Sequence, residues 1–169
     1  GSQTVLFGGG MVGLQFTPIM KTLGSLLNGV TNYNTYVPGI KYPGIDEFFK
    51  RYSEKAIAAK VDPLGFYLPP FNYATGQMLE QAVNATKSLD HKKLAEYMRK
   101  TEFQTIVGPI GFDKSGERAK PRMVQAQFRN IQDNNVDQFK APGKQVVLWP
   151  DSDKQGDFIF PFDKARKAT

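Results

Sequence analysis

The chain has 169 residues, of which 40% are hydrophobic, enough for roughly one domain with a buried core. Its formal charge of +6 comes from 22 basic and 16 acidic residues, but the lysines are scattered, whereas nucleic-acid-binding proteins cluster them on one face. Cysteine is absent, which excludes disulfides and thiolate metal sites, and no apolar run approaches the ~18 residues of a membrane span. We therefore expect no nucleic-acid partner.

The N-terminal residues predict a strand that runs into a tight loop. Residues 1–3, Gly-Ser-Gln, are typical of a cloning scar or a trimmed end and are left out of the fold prediction. Thr4 to Phe7 is apolar and stops at three glycines, which permit a sharp turn with close backbone approach. A phosphate-binding or dinucleotide-binding loop is a weaker interpretation, because no Lys-Ser or Lys-Thr pair follows the glycines.

A helix and a second strand follow. Thr17 is the predicted N-cap, Pro18 suits the first turn, and Asn28-Gly29 ends the helix. The predicted apolar face consists of Ile19, Leu23, Leu26 and Leu27. Val30 to Val37 is strand-like, so this order fits a parallel βαβ unit. The proline- and glycine-containing segment Pro38 to Gly44 is then a connection, either a hinge or a plain surface loop.

Two further helices are separated by an aromatic, proline-containing segment. Gly44 to Lys60 has the clearest helical period, given by Ile45, Phe48, Phe49, Tyr52, Ala56 and Ile57. Gly65 to Tyr73 carries four aromatic residues around Pro69 and Pro70, and the next helix runs to about Thr86. Its predicted buried face consists of Ala74, Met78, Ala82 and Ala85.

A short charged helix comes next, capped by Ser88 or Asp90. Its inward residues are predicted to be Leu94, Tyr97 and Met98. His91, the only histidine, stands in the first turn without a second ligand at metal-binding spacing. We expect it to be solvent-exposed, and we expect no metal site.

The segment Thr101 to Glu117 combines a Gly-Pro bend with a turn. Gly108 and Pro109 interrupt an apolar run, and residues 113–116, Asp-Lys-Ser-Gly, are typical of a tight turn closed by glycine. Val124, Ala126 and Phe128 then alternate with polar residues, which predicts a half-buried strand. Gln145 to Trp149 is a last strand, and Asp151 to Asp153 is interpreted as a turn rather than a calcium loop.

This stretch resembles the closing part of type I periplasmic solute-binding proteins, the branched-chain amino acid and related receptors of ABC importers. The residues that carry the resemblance are Thr105, Val107, Gly108, Ile110, Phe112, Asp113, Gly116 and Glu117. The resemblance covers nearly all of the chain but corresponds to the C-terminal half of such a receptor, so we expect a fragment. A generic α/β domain with one hairpin is the alternative.

The resemblance implies an α/β fold class: an incomplete part of the two-lobed type I fold, with Rossmann-like parallel sheets flanked by helices. Residues 4–38 would end the C-terminal lobe, and residues 39–44 would cross between lobes. Residues 45–118 would return to the N-terminal lobe, and residues 119–169 would supply the final crossover and C-terminal-lobe strands. An incomplete sheet exposes strand edges, so self-association is expected.

The resemblance also implies where a ligand would bind, in a cleft between the lobes. Gly10 and Met11 fall in the loop where amino acid receptors carry an acidic residue that holds the ammonium group of the ligand. Methionine cannot pair with a cation, which favours a ligand with an apolar or aromatic body. The helix start on the other lobe implies four more ligand-binding residues, namely Pro69, Pro70, Phe71 and Tyr73. The alternative is that these rings only fill the core.

No arrangement of nucleophile and base is evident, so an enzyme and a cofactor are not expected. The resemblance implies an extracellular ligand-binding receptor for amino acid transport, located in the periplasm although these residues include no signal peptide. Its ligand would be a small amino-acid-like molecule or an aromatic or aliphatic carboxylate, and its partner an ABC importer permease. The alternatives are a ligand-sensing regulatory domain of the same fold that is not coupled to transport, and a structural module without a ligand.

Overall fold

The computed structural model describes residues 4–120 and 122–168, except for the side chains of Met11 and Val12. The helices are α1 (Thr17–Leu23), α2 (Ile45–Ala59), α3 (Pro69–Thr86), α4 (His91–Lys100) and α5 (Phe162–Lys167). The strands are β1 (Gly8–Gly9), β2 (Thr31–Asn34), β3 (Phe103–Thr105), β4 (Gly108–Ile110), β5 (Val124–Phe128) and β6 (Gln145–Trp149).

The chain forms two units. The first consists of Gly1–Ile40, Tyr52–Tyr67 and Met123–Thr169, and the second of Lys41–Arg51 and Leu68–Arg122. The chain passes from the first to the second within the predicted connection, and α2 contributes residues to both. The assignment of segments to lobes of a larger receptor stays a prediction.

The first unit contains a mixed four-stranded sheet in the order β1-β2-β5-β6. β1 and β2 are parallel and joined by α1, which confirms the predicted βαβ unit, and the α/β fold class is confirmed with it. However, β5 is antiparallel to both β2 and β6, so this sheet is mixed rather than parallel throughout. The reason is local: no α-helix crosses over between β5 and β6, and antiparallel neighbours need no crossover helix.

The first strand begins directly after the predicted one, which was placed at Thr4 to Phe7. The apolar run before it is largely exposed, and the strand is formed by Gly8 and Gly9. A Cβ atom on Gly8 would lie 2.5 Å from Thr31 Oγ1 and one on Gly9 would lie 2.6 Å from Leu14 Cδ1. Glycine is needed here because neighbouring atoms approach the backbone closely, as was predicted from the three consecutive glycines.

Helix α1 differs from its prediction at both ends. Thr17 is the first helical residue rather than the cap, and its hydroxyl donates a hydrogen bond to Asp62. The α-helix stops at Leu23, and a 3-10 turn, Gly24–Leu27, completes the segment with Gly24 at a φ of +49°. This break turns the residues after it relative to the face of α1, so that Leu27 is buried and Leu26 is exposed. Within α1 itself, Met20 is buried in place of the predicted Ile19.

In the central strand β5, one polar residue departs from the predicted alternation of buried apolar and exposed polar side chains. Gln127 was predicted to face solvent but is fully buried. Its Nε2 donates to the carbonyl oxygens of Gly29, at 3.1 Å, and Ile159, at 2.9 Å, and its Oε1 accepts from Arg129. The C-terminal segment covers this side of the sheet, so a polar residue is retained where the local period indicates exposure.

The predicted helices at α2, α3 and α4 are confirmed to within a few residues. Ile45 and Ala56 are buried on α2, whereas Ile57 is exposed, so its place on the apolar face was wrong. On α3 the buried residues are Pro70, Ala74, Met78 and Ala82, and the exposed Ala85 is a second correction. Asp90 caps α4 by accepting the Lys93 N–H at 2.9 Å, and His91 is exposed as predicted.

In the second unit the predicted Gly-Pro bend is part of a hairpin. β3 and β4 pair antiparallel, so the chain turns at Ile106 and Val107, and Pro109 lies within a strand opposite Gln104. Gly108 has a φ of +82°, and the Thr105 hydroxyl donates to its carbonyl oxygen at 2.7 Å. The bend was therefore placed two residues too late.

The turn that follows is confirmed, and Asp113 organises it. One oxygen of its carboxylate accepts the backbone N–H of Ser115 at 2.8 Å, the hydroxyl of Ser115 at 2.6 Å and the N–H of Glu117 at 3.1 Å. Gly116 closes the turn at a φ of +86°. These hydrogen bonds, that of the Ser115 hydroxyl foremost, lower the pKa of Asp113.

Replacing Ser115 with alanine is expected to raise the pKa of Asp113 towards its ordinary value, because the main stabilising donor is lost. A lowered folded-state pKa stabilises the protein above the unfolded pKa of about 3.9, and this contribution is lost as the pH falls through the folded value. An NMR titration of the Asp113 carboxyl carbon in both proteins measures the change. Identical titration curves would contradict this account of the turn.

The C-terminal segment adds a helix that the sequence did not predict. β6 and the turn at Asp151–Asp153 are confirmed, the latter as one 3-10 turn. Helix α5 follows, and its first residue, Phe162, packs against Phe7 with ring centroids 5.4 Å apart. These C-terminal residues are therefore helical and part of the first unit.

Candidate functional site

The described residues hold no cluster of metal ligands and no helix that could span a membrane. Among them, no three His, Cys, Asp or Glu side chains meet as a metal-binding group. No helix in the described part of the chain combines the length and apolar character needed to cross a bilayer. The two candidate sites in the described part of the chain are places where a small molecule could be held by rings, amides and cations.

The first candidate is the start of α3 in the second unit. Pro69 and Phe71 are half-buried, Pro70 is buried, and Tyr73 is 47% exposed. No side chain caps this helix, and the Asn72 N–H is already bonded to the carbonyl oxygen of Leu68 at 3.0 Å. Since the two prolines carry no N–H, this helix start offers few donors, and its rings are its main chemical feature.

The Tyr73 ring extends an aromatic row that begins on α2. Its centroid lies 5.2 Å from that of Phe48, which in turn lies 5.1 Å from that of Phe49. Both Phe48 and Phe49 are half-buried and Tyr73 is more exposed, so the row lies at the surface of the unit. Such a row can stack on an aromatic or aliphatic ligand and keep one edge in water. The contact of Tyr73 with the α2 rings was not predicted from the sequence, and the contact of Tyr73 with a ligand stays a prediction.

The other predicted ligand residues lie in the first unit. Gly10 is exposed, and a Cβ atom there would meet no atom within 4 Å. Met11 begins a 3-10 turn, Met11–Gln15, but its side chain lies outside the described residues. Gly10 thus leaves open space beside the chain, unlike Gly8 and Gly9, and its role at a ligand site stays a prediction.

A second candidate, which sequence reasoning missed, is an open pocket of about 350 Å³ within the second unit. Its residues come from the connection before α2, from α3 and from the β3–β4 hairpin, with Arg122 beside them. Arg122 stacks over the Tyr42 ring, with the guanidinium carbon 4.8 Å from the ring centroid. These segments are far apart in sequence, and each carries too few polar residues to form a motif.

Comparison with known proteins identifies the family. The family model described as periplasmic binding protein matches residues 5–134. The crystal structure of a leucine-binding protein, LivK, from Thermotoga maritima is similar, with a TM-score of 0.52 and 25% sequence identity. That match covers 69% of this chain and 32% of LivK, so the chain spans about a third of the length of that protein. The chain therefore belongs to the periplasmic binding protein family, of the type I class.

Proposed function

We propose that this chain is part of a periplasmic receptor that binds a small solute and delivers it to the permease of an ABC importer. The observation that carries the proposal is the aromatic row that ends at the partly exposed Tyr73, in a chain that belongs to a family of binding proteins. A receptor must hold its ligand without reacting with it, and apolar walls with a few polar groups serve that purpose.

The chemistry of this row, together with Phe71, favours a ligand with an aromatic or aliphatic body. Phe71 and Tyr73 lie near the start of α3, where two prolines provide no backbone donors. A ring that stacks on Tyr73 gains roughly 0.5–1.5 kcal/mol beyond simple area burial. The ligand class we propose is an aromatic or aliphatic carboxylate, or an amino-acid-like molecule with a large apolar group.

Met11 further limits the class of ligand that we propose. Amino acid receptors of this class are expected to carry an acidic residue at this loop, and a thioether cannot replace its charge. LivK is a leucine-binding protein, so amino acid binding occurs among proteins similar to this chain. We nevertheless propose that ligands without an ammonium group bind this chain better than leucine does.

The test compares ring-deletion variants with a matched control on the same helix. Phe71→Ala and Tyr73→Ala are expected to weaken the binding of phenylacetate about fivefold each, because one stacking contact is lost. Leu79→Ala is the control, since Leu79 lies on α3 and is 49% exposed, close to the 47% of Tyr73. Binding is followed by NMR chemical shifts during titration. Equal affinities in all three variants and the unaltered chain would contradict the proposed site.

A further inference from the structure

The open pocket of the second unit brings together two cations and several amides. Its cationic residues are Lys41 and Arg122, and its amide side chains are Gln77 and Gln104. We propose that this pocket is a binding site for a small oxyanion of the sulfate, phosphate or carboxylate class. The proposal does not depend on the solute-binding function, because none of these residues belongs to the aromatic row of Phe49, Phe48 and Tyr73.

The walls of the pocket are tied together, so the site is formed before a ligand arrives. Gln77 Oε1 accepts the Ile106 N–H at 2.9 Å, which fixes α3 to the hairpin turn. Gln81 Nε2 donates to the Gln104 carbonyl oxygen at 2.9 Å, one turn further along α3. With Oε1 of Gln77 engaged by the backbone, the amide end that suits an anion is the Nε2 donor. Preformed donors lower the ordering cost of binding.

Arg122 is held in a way that suits anion binding. Its guanidinium stacks over Tyr42, which keeps the group at the pocket. A guanidinium has five N–H donors in its plane, so it can bind an oxyanion in addition to its other partners. Lys41 Nζ forms an ion pair with Asp46 at 2.8 Å, but both side chains are about 70% exposed. Exposed ion pairs are weak, so Lys41 can turn towards an anion in the pocket at little cost.

A second guanidinium beside the pocket increases the positive charge there. Arg118 donates to the carbonyl oxygens of Val107, at 3.3 Å, and Pro109, at 3.1 Å, while its buried Nε has no hydrogen-bond partner among the described residues. Burial is the main cause that lowers the pKa of Arg118; Tyr42 raises this pKa, and repulsion from Arg122 lowers it. An oxyanion in the pocket would reduce the repulsion between the two guanidinium groups.

The test is a calorimetric titration of the whole chain with sodium sulfate at constant ionic strength. Arg122→Gln is expected to weaken sulfate binding about tenfold, because a charge-assisted contact is lost. Arg51→Gln is the matched control, since it removes the same charge from an exposed residue of the second unit. An equal weakening in both variants, or no saturable binding by the unaltered chain, would overturn the proposal.

A variant with the opposite expected effect separates binding from stability. Asp46→Asn removes the partner of Lys41, so sulfate affinity should rise about two- to threefold. A general loss of stability cannot produce that gain, and an unchanged or lower affinity counts against the site. Circular dichroism of each variant verifies folding, and Lys41→Gln, expected to weaken binding, replaces Arg122→Gln where that variant is unfolded.

Two further measurements identify the chemical class of the anion and distinguish this pocket from the proposed solute site. Acetate that binds as tightly as sulfate and depends on Arg122 supports the site and assigns it to carboxylates, whereas a preference for sulfate and phosphate assigns it to tetrahedral anions. Phe71→Ala should leave sulfate affinity unchanged. A parallel loss of sulfate and phenylacetate binding in that variant would mean that the pocket is not a separate site.

Discussion

Replacing Gly65 with alanine is expected to lower the free energy of unfolding by about 3 kcal/mol, because backbone strain and a steric clash combine. Gly65 is buried at a φ of +60°, and a Cβ atom there would lie 2.2 Å from Tyr52 Cε1. The ring cannot move aside freely, since its hydroxyl donates to the Asp62 carbonyl oxygen at 2.8 Å. Urea unfolding of both proteins measures the loss.

The control for this substitution is Gly143→Ala in the same unit. Gly143 also has a positive φ, +86°, but a Cβ atom there would meet nothing within 4 Å. Its cost should be the backbone term alone, about 1 kcal/mol. If both substitutions cost the same, the contact between Gly65 and the Tyr52 ring is not what makes glycine necessary.

Replacing Phe139 with alanine is expected to lower the free energy of unfolding by about 3–5 kcal/mol, since a large cavity would open in the core of the first unit. Phe139 is fully buried, and its ring meets that of the buried Phe128 edge-on at 6.3 Å. Deleting the side chain removes both the buried area and this ring contact. Thermal and urea unfolding measure the effect.

An exposed phenylalanine serves as the control for Phe139. Phe160 is 58% exposed and stacks only on Phe158 among the ring contacts described. Phe160→Ala should therefore cost less than about 1 kcal/mol. A loss of similar size in both variants would show that Phe139 does not belong to a tightly packed core.

Helices α2, α3 and α4 could be predicted because their signals are local. The aromatic and aliphatic residues of α2 recur at helical spacing, and the two prolines mark the start of α3. The break after α1 could not be predicted, because it involves a distant segment: a Cβ atom on Gly24 would lie 2.9 Å from Asn134. The burial of Gln127 likewise depends on Ile159, which is 32 residues away.

The difference between local signals and contacts with distant segments also explains which parts of the candidate sites could be predicted. The rings and prolines from Pro69 to Tyr73 are contiguous, so their place at the start of α3 could be predicted. The contact of Tyr73 with Phe48 depends on a ring that lies on another helix, α2. The anion pocket requires the meeting of Tyr42, Gln77 and Arg122, which only the hairpin and its ties to α3 bring about. No window of sequence contains that arrangement, so only the folded chain reveals it.

The most direct test of the central claim is a calorimetric titration of the chain with L-leucine and with aromatic carboxylates under the same conditions. Saturable binding of an aromatic carboxylate that exceeds the affinity for leucine is the result predicted, because the Phe48–Tyr73 row offers rings that stack on an aromatic body. Tight binding of leucine with no binding of aromatic carboxylates would contradict the account.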